Sequence, residues 1–405
     1  MARSTDLIHH PYRAPSEFEA PAVGVHKAST VFFPNVAAMR SREWMDKSAY
    51  TYGLHGTPTT FTLEERLATL EGGTHCVLTP SGLAAIAHVG LALLQTGDEV
   101  LIPDNAYQPN KAFAQDELAR FGITHQVYDP MNPADLAARL GPRTRLVWLE
   151  AAGSVTMEFP DVPALVALCR AHGAWCALDN TWGAGLAFNA FDLTPGQGAC
   201  GVDLTIHALT KYPSGGGDVL MGSIVTRNDA LARTLKLSHM RLGTGVGAND
   251  AEAVLRALPS LPLRYRAQDA SARQLAQWLA QRDEVVQVLH PALPASPGHA
   301  HWRALCVHPD APEGLAAGIF SVVFDARFGS RQVDAFCDAL QRFRIGYSWG
   351  GPVSLVVPYG LASLRAHAPA PLRGARLVRL CIGLEDPQDL IQDLARALEA
   401  LHTSP

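Results

Sequence analysis

Short apolar runs alternate with amphipathic stretches from about residue 75 to residue 211, and this alternation constrains the fold more than anything else in the chain. The runs are HCVLTP, EVLIPD, ITHQVYD, RLVWLE, AWCALDN and DLTIHALT; between them lie LAAIAHVGLALL, AFAQDELARFG, PADLAARLG and VPALVALCRAHG, whose apolar residues recur at helical spacing. A chain that inserts a helix between successive strands cannot fold them as hairpins. Crossover connections make neighbouring strands parallel, and the helices then cover both faces of the sheet. The expected fold is α/β with a mostly parallel central sheet.

The flanks read differently. Residues 1–56 lack a period and are rich in His, Pro, Tyr and Arg, which suggests an arm lying on a neighbouring subunit, with a short helix around VAAMRSREWM. FTLEERLATLEGG then opens a region spanning 57–252. Leu63, Leu67 and Leu70 sit near helical spacing, Thr60 or Thr62 serves as N-cap, and Gly72-Gly73 is the stop. Residues 253–405 are helix-rich with less regular strands (VVQVLH, GIFSVVFD, RLVRLCIGL), the pattern of a smaller C-terminal α+β domain.

Composition narrows the partners. The 405 residues are 48% hydrophobic and 18% charged, and a net charge of −5 without a Lys/Arg cluster speaks against nucleic acid. The start has no apolar leader core and no run reaches about 18 apolar residues, so the expectation is a cytoplasmic, soluble chain with no membrane contact. Seven scattered cysteines without a C-x-x-C pair suggest reduced thiols and no structural zinc. His9-His10 lacks a third ligand at suitable spacing, so no metal site is expected.

In a parallel α/β sheet, ligands sit beyond the carboxyl ends of the strands. Four such ends carry unusual residues. Ser81, Gly82 and Leu83 begin a helix whose N–H groups could face an anion. Tyr107 lies in the turn after EVLIPD, with an aromatic face for a planar ligand. Asp179 ends AWCALD and could hold a pyridinium nitrogen protonated. Lys211 ends TIHALTK, ahead of Ser214 and three glycines expected to clear space for a ring. A lysine amine becomes nucleophilic when burial depresses its pKa. An ordinary capped turn, a packing tyrosine and an Asx-turn would each explain one of these features alone; together they converge on pyridoxal phosphate as cofactor.

The segments VGVHKASTVFFP, YGLHGTPT, LEGG, DNTW, TKYPSGGG, HPALPASPGH, YSWGG and RLCIGLED follow one another in an order that resembles the pyridoxal-phosphate-dependent enzymes of cysteine and methionine metabolism. The resemblance implies the aminotransferase-like fold (fold type I) and a homotetramer with active sites shared between paired subunits. It implies Lys211 as the Schiff-base lysine, Asp179 against the ring nitrogen and Tyr107 stacked on the ring and taking up a proton. Phosphate contacts would come from Ser81, Gly82, Leu83 and Thr210, with Tyr52 reaching across from a neighbour. Arg379 would bind the substrate carboxylate and Ser348 would orient that neighbourhood. NAYQP, SVTME and YSWGG look most like the β-lyase branch, whose substrate is a small amino-acid thioether, rather than the γ-lyase or γ-synthase branches. Trp349 beside Ser348 would then help hold the substrate's Cβ–S bond in line.

The chain departs from the family at three places. Leu54 stands where an arginine is usual, so His55 or a residue from elsewhere is expected to take over part of the phosphate contact. Glu150-Ala151-Ala152 replaces the common acid-Ser/Thr-Pro, and Ser154 replaces a frequent Asn. Two rival motifs remain. GYSWG fits G-x-S-x-G and suggests a serine hydrolase using Ser348, Asp386 and His402, and GTGVGA fits a dinucleotide fingerprint.

Overall fold

The computed structural model describes residues 20–405 apart from 42–43, 196–199, 310, 362–364, 366–371, 373–374 and 404–405. His9 and His10 lie outside the described residues. A seven-stranded sheet is built from β1 (His75–Thr79), β2 (Glu99–Pro103), β3 (Thr124–Tyr128), β4 (Thr144–Glu150), β5 (Trp175–Asp179), β6 (Leu204–Ala208) and β7 (Gly222–Thr226). Its strand order is β1-β7-β6-β5-β4-β2-β3. The pairings from β6 through β3 are parallel, and β7 runs antiparallel between β6 and β1. Thus β1, β2, β4, β5 and β6 all point the same way.

Burial explains why these strands read as continuous apolar runs. Leu101, Val147, Leu149, Cys176 and Leu178 enter the core on one face; Val100, Ile102, Leu146, Trp148, Ala177 and Ile206 enter the core on the other. Both faces of the central strands exclude water, so little polar alternation is left there, whereas the edge strand β3 is part-exposed. The sequence reading missed β7. Its GSIVT follows a glycine-rich turn and depends on Thr205 and Ile206 of β6 for its register partners Val225 and Ile224.

The helix that opens the large region spans Pro58–Glu71, with Thr57 as N-cap in place of the expected Thr60 or Thr62. Proline at the first helical position fixes the start, and the side chain of Thr57 accepts the backbone N–H of Thr60 while the Thr60 hydroxyl meets the N–H of Thr57. Around VAAMRSREWM the helix covers Val36–Arg40.

The second sheet contains β8 (Val285–Leu289), β9 (Ile319–Phe324), β10 (Arg344–Ile345), β11 (Leu355–Gly360) and β12 (Arg376–Cys381), in the order β10-β11-β12-β9-β8. Its core gathers Phe320, Val322, Phe324, Val378 and Leu380 with Leu275 and Leu279 of helix Leu261–Leu279 and Leu390 and Leu394 of helix Pro387–Leu398. The expected change at 252/253 falls inside helix Ala248–Ala257, whose Val254 and Leu255 belong to the same core as Leu63 and Leu67 of Pro58–Glu71. Two hydrogen bonds tie loops that follow strands of the first sheet to the segment before β9 and to helix Leu261–Leu279. The N–H of Gly318 donates to the Tyr212 hydroxyl at 2.7 Å, and the Tyr265 hydroxyl donates to the carbonyl of Trp182 at 3.1 Å. Among the described residues no helix is long and apolar enough to cross a membrane, and no group of three His, Cys, Asp or Glu could hold a metal ion.

Candidate active site

The co-directional strands end at a cavity of about 550 Å³, walled on its far side by residues of the second sheet and of the loop between β10 and β11. Lys211, Asp179, Tyr107, Ser81, Gly82, Leu83, Thr210, Trp349 and Arg379 all line it.

Lys211 follows β6 directly. Its N–H bonds to the carbonyl of Ala208 at 3.0 Å, and the Ser214 hydroxyl bonds to the carbonyls of both Thr210 and Lys211, so the backbone of the turn is held on two sides. The amine donates to the Ser348 hydroxyl at 3.1 Å and lies 5.4 Å from the Trp349 ring centre. Burial, helped by the charge of Arg379, lowers its pKa to about 8. The three glycines do not clear space for a ring as expected, for none of them lines the cavity. Gly215 and Gly217 take left-handed φ angles of 75° and 71°. The turn they form lets the YSWGG loop approach so closely that a Cβ on Gly350 would lie 2.9 Å from the Tyr212 nitrogen. The glycines therefore place Ser348 and Trp349 against Lys211.

Asp179 ends β5, buried. Its Oδ1 accepts the N–H of Thr181 at 3.0 Å, while the Thr181 hydroxyl accepts the N–H of Ala208 at 3.0 Å and so joins the ends of β5 and β6. Burial raises its pKa, against the pull of the Thr181 hydrogen bonds, His207 and Lys211. Behind it Glu71 bonds both His207 (2.9 Å) and Asn180 (2.7 Å). The helix Gly82–Leu93 starts over the end of β6, where a Cβ on Gly82 would come within 2.5 Å of the Ala208 Cβ. The Ser81 side chain caps this helix through the N–H of Ala84 at 3.0 Å, and the first-turn N–H groups of Gly82 and Leu83 have no acceptor within the helix. Thr210 Oγ1 sits 3.4 Å from the nitrogen and 3.5 Å from the oxygen of Met221.

Arg379 reaches the cavity from β12. It is 6% exposed, donates to the Tyr347 carbonyl at 2.8 Å and lies 5.3 Å from the Tyr359 ring. Tyr52 and His55 are not brought to the cavity within one chain. Tyr52 is exposed and its hydroxyl accepts from Ser29 at 3.3 Å. His55 bonds Thr51 at 2.8 Å, lies tilted against Trp44 with ring centres 4.8 Å apart and, with Leu54, Lys236 and His239, lines a second cavity of about 620 Å³.

Sequence reasoning passed over Lys111 and Arg365, which also line the first cavity. Lys111 donates to the carbonyl of Asp104 at 2.8 Å; Arg365 lies 2.7 Å from the carboxylates of both Asp104 and Glu158. Lys111 stands one helical turn after Tyr107, a spacing that could have flagged it. Nothing local marks Arg365.

The rival motifs separate in space. The loop holding Ser348 is followed by bends and β11 rather than a helix, Asp386 caps helix Pro387–Leu398, and His402 pairs with Glu284 at 3.0 Å. GTGVGA follows helix Asp229–Leu242 rather than a strand.

The profile of the Cys/Met metabolism PLP-dependent enzymes matches residues 4–399. The chain belongs to that family. It is 37% identical over 400 residues to cystathionine beta-lyase of Bordetella avium, covering 97% of this chain and 96% of that one. It is 37% identical over 377 residues to cystathionine beta-lyase MetC of Escherichia coli, covering 91% of each. A crystal structure of metB from Corynebacterium glutamicum superposes with a TM-score of 0.84 at 26% identity over 98% of both chains. The fold is the fold type I architecture of this family, and the cofactor is pyridoxal phosphate.

The residues present fit that cofactor. The cavity sets an amine of lowered pKa, a buried carboxylate, an aromatic ring and free helix N–H groups around one volume, which are the groups needed for its aldehyde, pyridine nitrogen, ring face and phosphate.

Proposed function

We propose that this enzyme is a cystathionine β-lyase, converting cystathionine and water to homocysteine, pyruvate and ammonia. The observation that carries the reading is the contact of Lys211 with Ser348 at 3.1 Å beside the inward-facing Arg379, within a chain similar over nearly its whole length to β-lyases. Lys211 would hold the cofactor through its aldehyde, Asp179 would pair with its ring nitrogen, and Tyr107 would stack on its ring. Ser81, Gly82, Leu83 and Thr210 would receive the phosphate.

When bound, pyridoxal phosphate supplies the electron sink that allows a proton to leave Cα. Arg379 binds the substrate α-carboxylate through a planar pair of donors and thereby fixes which bond at Cα faces Lys211. With a pKa near 8, Lys211 exists partly as the free amine at neutral pH, accepts the Cα proton and returns a proton to the departing thiolate. Ser348 holds the amine between these two tasks, and Trp349 limits how the substrate chain lies. Tyr107 was expected to take up a proton from the substrate amine. In the protein without ligands, burial, then the charges of Asp179 and Glu150, raise the pKa of its phenol, against the opposing charge of Arg379.

The reading extends to assembly and place. Phe32 (92% exposed), Leu220 (71%) and Tyr347 (81%) leave apolar surface uncovered on a single chain, which supports a homotetramer in which Tyr52 reaches a neighbour's cavity. Seven free thiols suit a reducing, cytoplasmic setting.

The test is incubation with cystathionine and identification of the keto acid. Pyruvate with homocysteine is expected. Predominant 2-oxobutyrate with cysteine would move the chain to the γ-lyase branch.

A further inference from the structure

One half-buried acid in the cavity wall has no part in the mechanism above. Glu150 is the last residue of β4 and the register partner of Asp179 on β5. Adjacent parallel strands lie about 4.8 Å apart, so two carboxylates stand side by side at the floor of the site. Their bonding differs. Asp179 is satisfied by Thr181, on its own strand end, whereas Glu150 reaches over to the turn after β2 and accepts the backbone N–H of Tyr107 at 2.7 Å.

That N–H has no partner within its own helix, because Tyr107 is the N-cap of Gln108–Ala112 and its side chain makes no capping hydrogen bond. Tyr107 has φ −46° and ψ 119°, outside the helical region. Its carbonyl accepts the N–H of Asn110 at 2.9 Å, and its own N–H is held from outside the helix by Glu150. A second acid beside Asp179 is otherwise unfavourable: burial, then the charge of Asp179, raise the pKa of Glu150, opposed by the Tyr107 N–H and by Lys111. Glu158 adds further repulsion. An apolar residue would avoid this cost but would leave the Tyr107 N–H without its acceptor, so a role that uses the side-chain oxygen is the economical explanation.

We propose that Glu150 is a positioning residue that acts through Tyr107, anchoring its backbone so that the ring lies along the bound cofactor. The inference rests on the reading of this cavity as the pyridoxal phosphate site, and it concerns a residue to which that reading assigns no role.

The test uses the dissociation constant for pyridoxal phosphate, measured on apoprotein, and the visible circular dichroism of the bound cofactor, which reports how tightly its ring is held. Glu150→Leu removes the acceptor and should raise the dissociation constant about 10-fold and weaken the dichroism. Glu150→Gln keeps an oxygen for the N–H and should stay within about 2-fold. Glu150→Asp keeps the charge but withdraws it by one methylene; it should follow Leu, and it serves if the Leu variant does not fold. Tyr107→Ala should weaken binding by itself, and adding Glu150→Leu to it should cost less than about 2-fold more, since a residue acting through Tyr107 has nothing left to position. Unchanged affinity and dichroism in both Glu150→Leu and Glu150→Asp would overturn the proposal. A Glu150→Leu penalty that persists in full in the Tyr107→Ala background would overturn it too. A wild-type protein that carries no cofactor on Lys211 would instead refute the reading of the site, so the two failures are distinguishable.

Discussion

Replacing Asp179 by Asn separates a cofactor role from an ordinary turn. The carboxylate is 9% exposed and accepts one backbone N–H, that of Thr181 at 3.0 Å, which an Asn oxygen can accept equally well. If closing that turn were its whole purpose, Asn would be neutral. The electrostatics say otherwise. Burial raises the pKa of Asp179, so the native state binds its proton more tightly than the unfolded chain does. A group whose folded pKa is raised contributes stability at pH below its unfolded value, and that contribution is lost as pH rises through the folded value. At pH 7 the ionised Asp179 is therefore a net cost to the apoprotein, and Asn removes it. The cofactor-loaded protein should respond in the opposite sense. A hydrogen bond between a charged carboxylate and a protonated ring nitrogen contributes about 1.5–3 kcal/mol, and losing it weakens binding by roughly 10- to 150-fold. Urea denaturation of apoprotein and a fluorescence titration with pyridoxal phosphate measure the two halves. The expected result is an apoprotein as stable as wild type or more so, with a dissociation constant raised by that factor. An Asn variant with less stable apoprotein and unchanged cofactor affinity would refute the reasoning and make Asp179 a structural residue.

Other outcomes are open to direct measurement. Borohydride reduction of the purified protein followed by peptide mapping should place a pyridoxyl group on Lys211, and a label on any other lysine would remove it from its role. Because only the free amine attacks the cofactor's aldehyde, the rate of pyridoxal phosphate capture by apoprotein should rise by about tenfold per pH unit up to the Lys211 pKa of about 8 and then level off; a flat profile from pH 6 to 9 would contradict the burial argument. His290 is fully buried beside Phe320, and burial depresses its pKa to about 3, so it stays neutral in the fold while the unfolded chain takes up a proton near pH 6.5. Its contribution is intact above pH 6.5 and is lost as pH falls, at up to about 1.4 kcal/mol per unit. His290→Asn should flatten the decline in urea stability between pH 6.5 and 4.5, and parallel slopes would mean that His290 protonates without unfolding. Leu54→Arg should tighten pyridoxal phosphate binding about 10-fold if the phosphate lacks a charge partner; no change would show that another residue, such as His55 or Lys236 in the neighbouring cavity, already provides it.

What the sequence disclosed and what it withheld follow from the geometry of a parallel sheet. Each strand delivers its own end to the site, so a residue there is announced by the apolar run just before it. Asp179 after AWCAL and Lys211 after TIHALT could be read in this way, because strand and chemistry are contiguous in the chain. The carboxylate–amide bond between Glu150 and Tyr107 spans 43 residues and depends on β4 lying beside β2, a strand order that periodicity does not specify. Arg365 is more remote still, reaching Asp104 across 261 residues, and its neighbours carry no pattern that predicts the contact. The glycines after Lys211 show the same limit from the other side. Their type was visible, but their purpose was to admit the Gly350-Gly351 loop from the second sheet, and only the folded chain reveals which backbone approaches. Local sequence thus identifies the groups that perform chemistry, while the contacts that aim those groups are set by packing between distant segments. Glu150 belongs to the second class. Its glutamate was legible, but its target was not, which is why a double substitution with Tyr107 is a stronger test of its role than any single change.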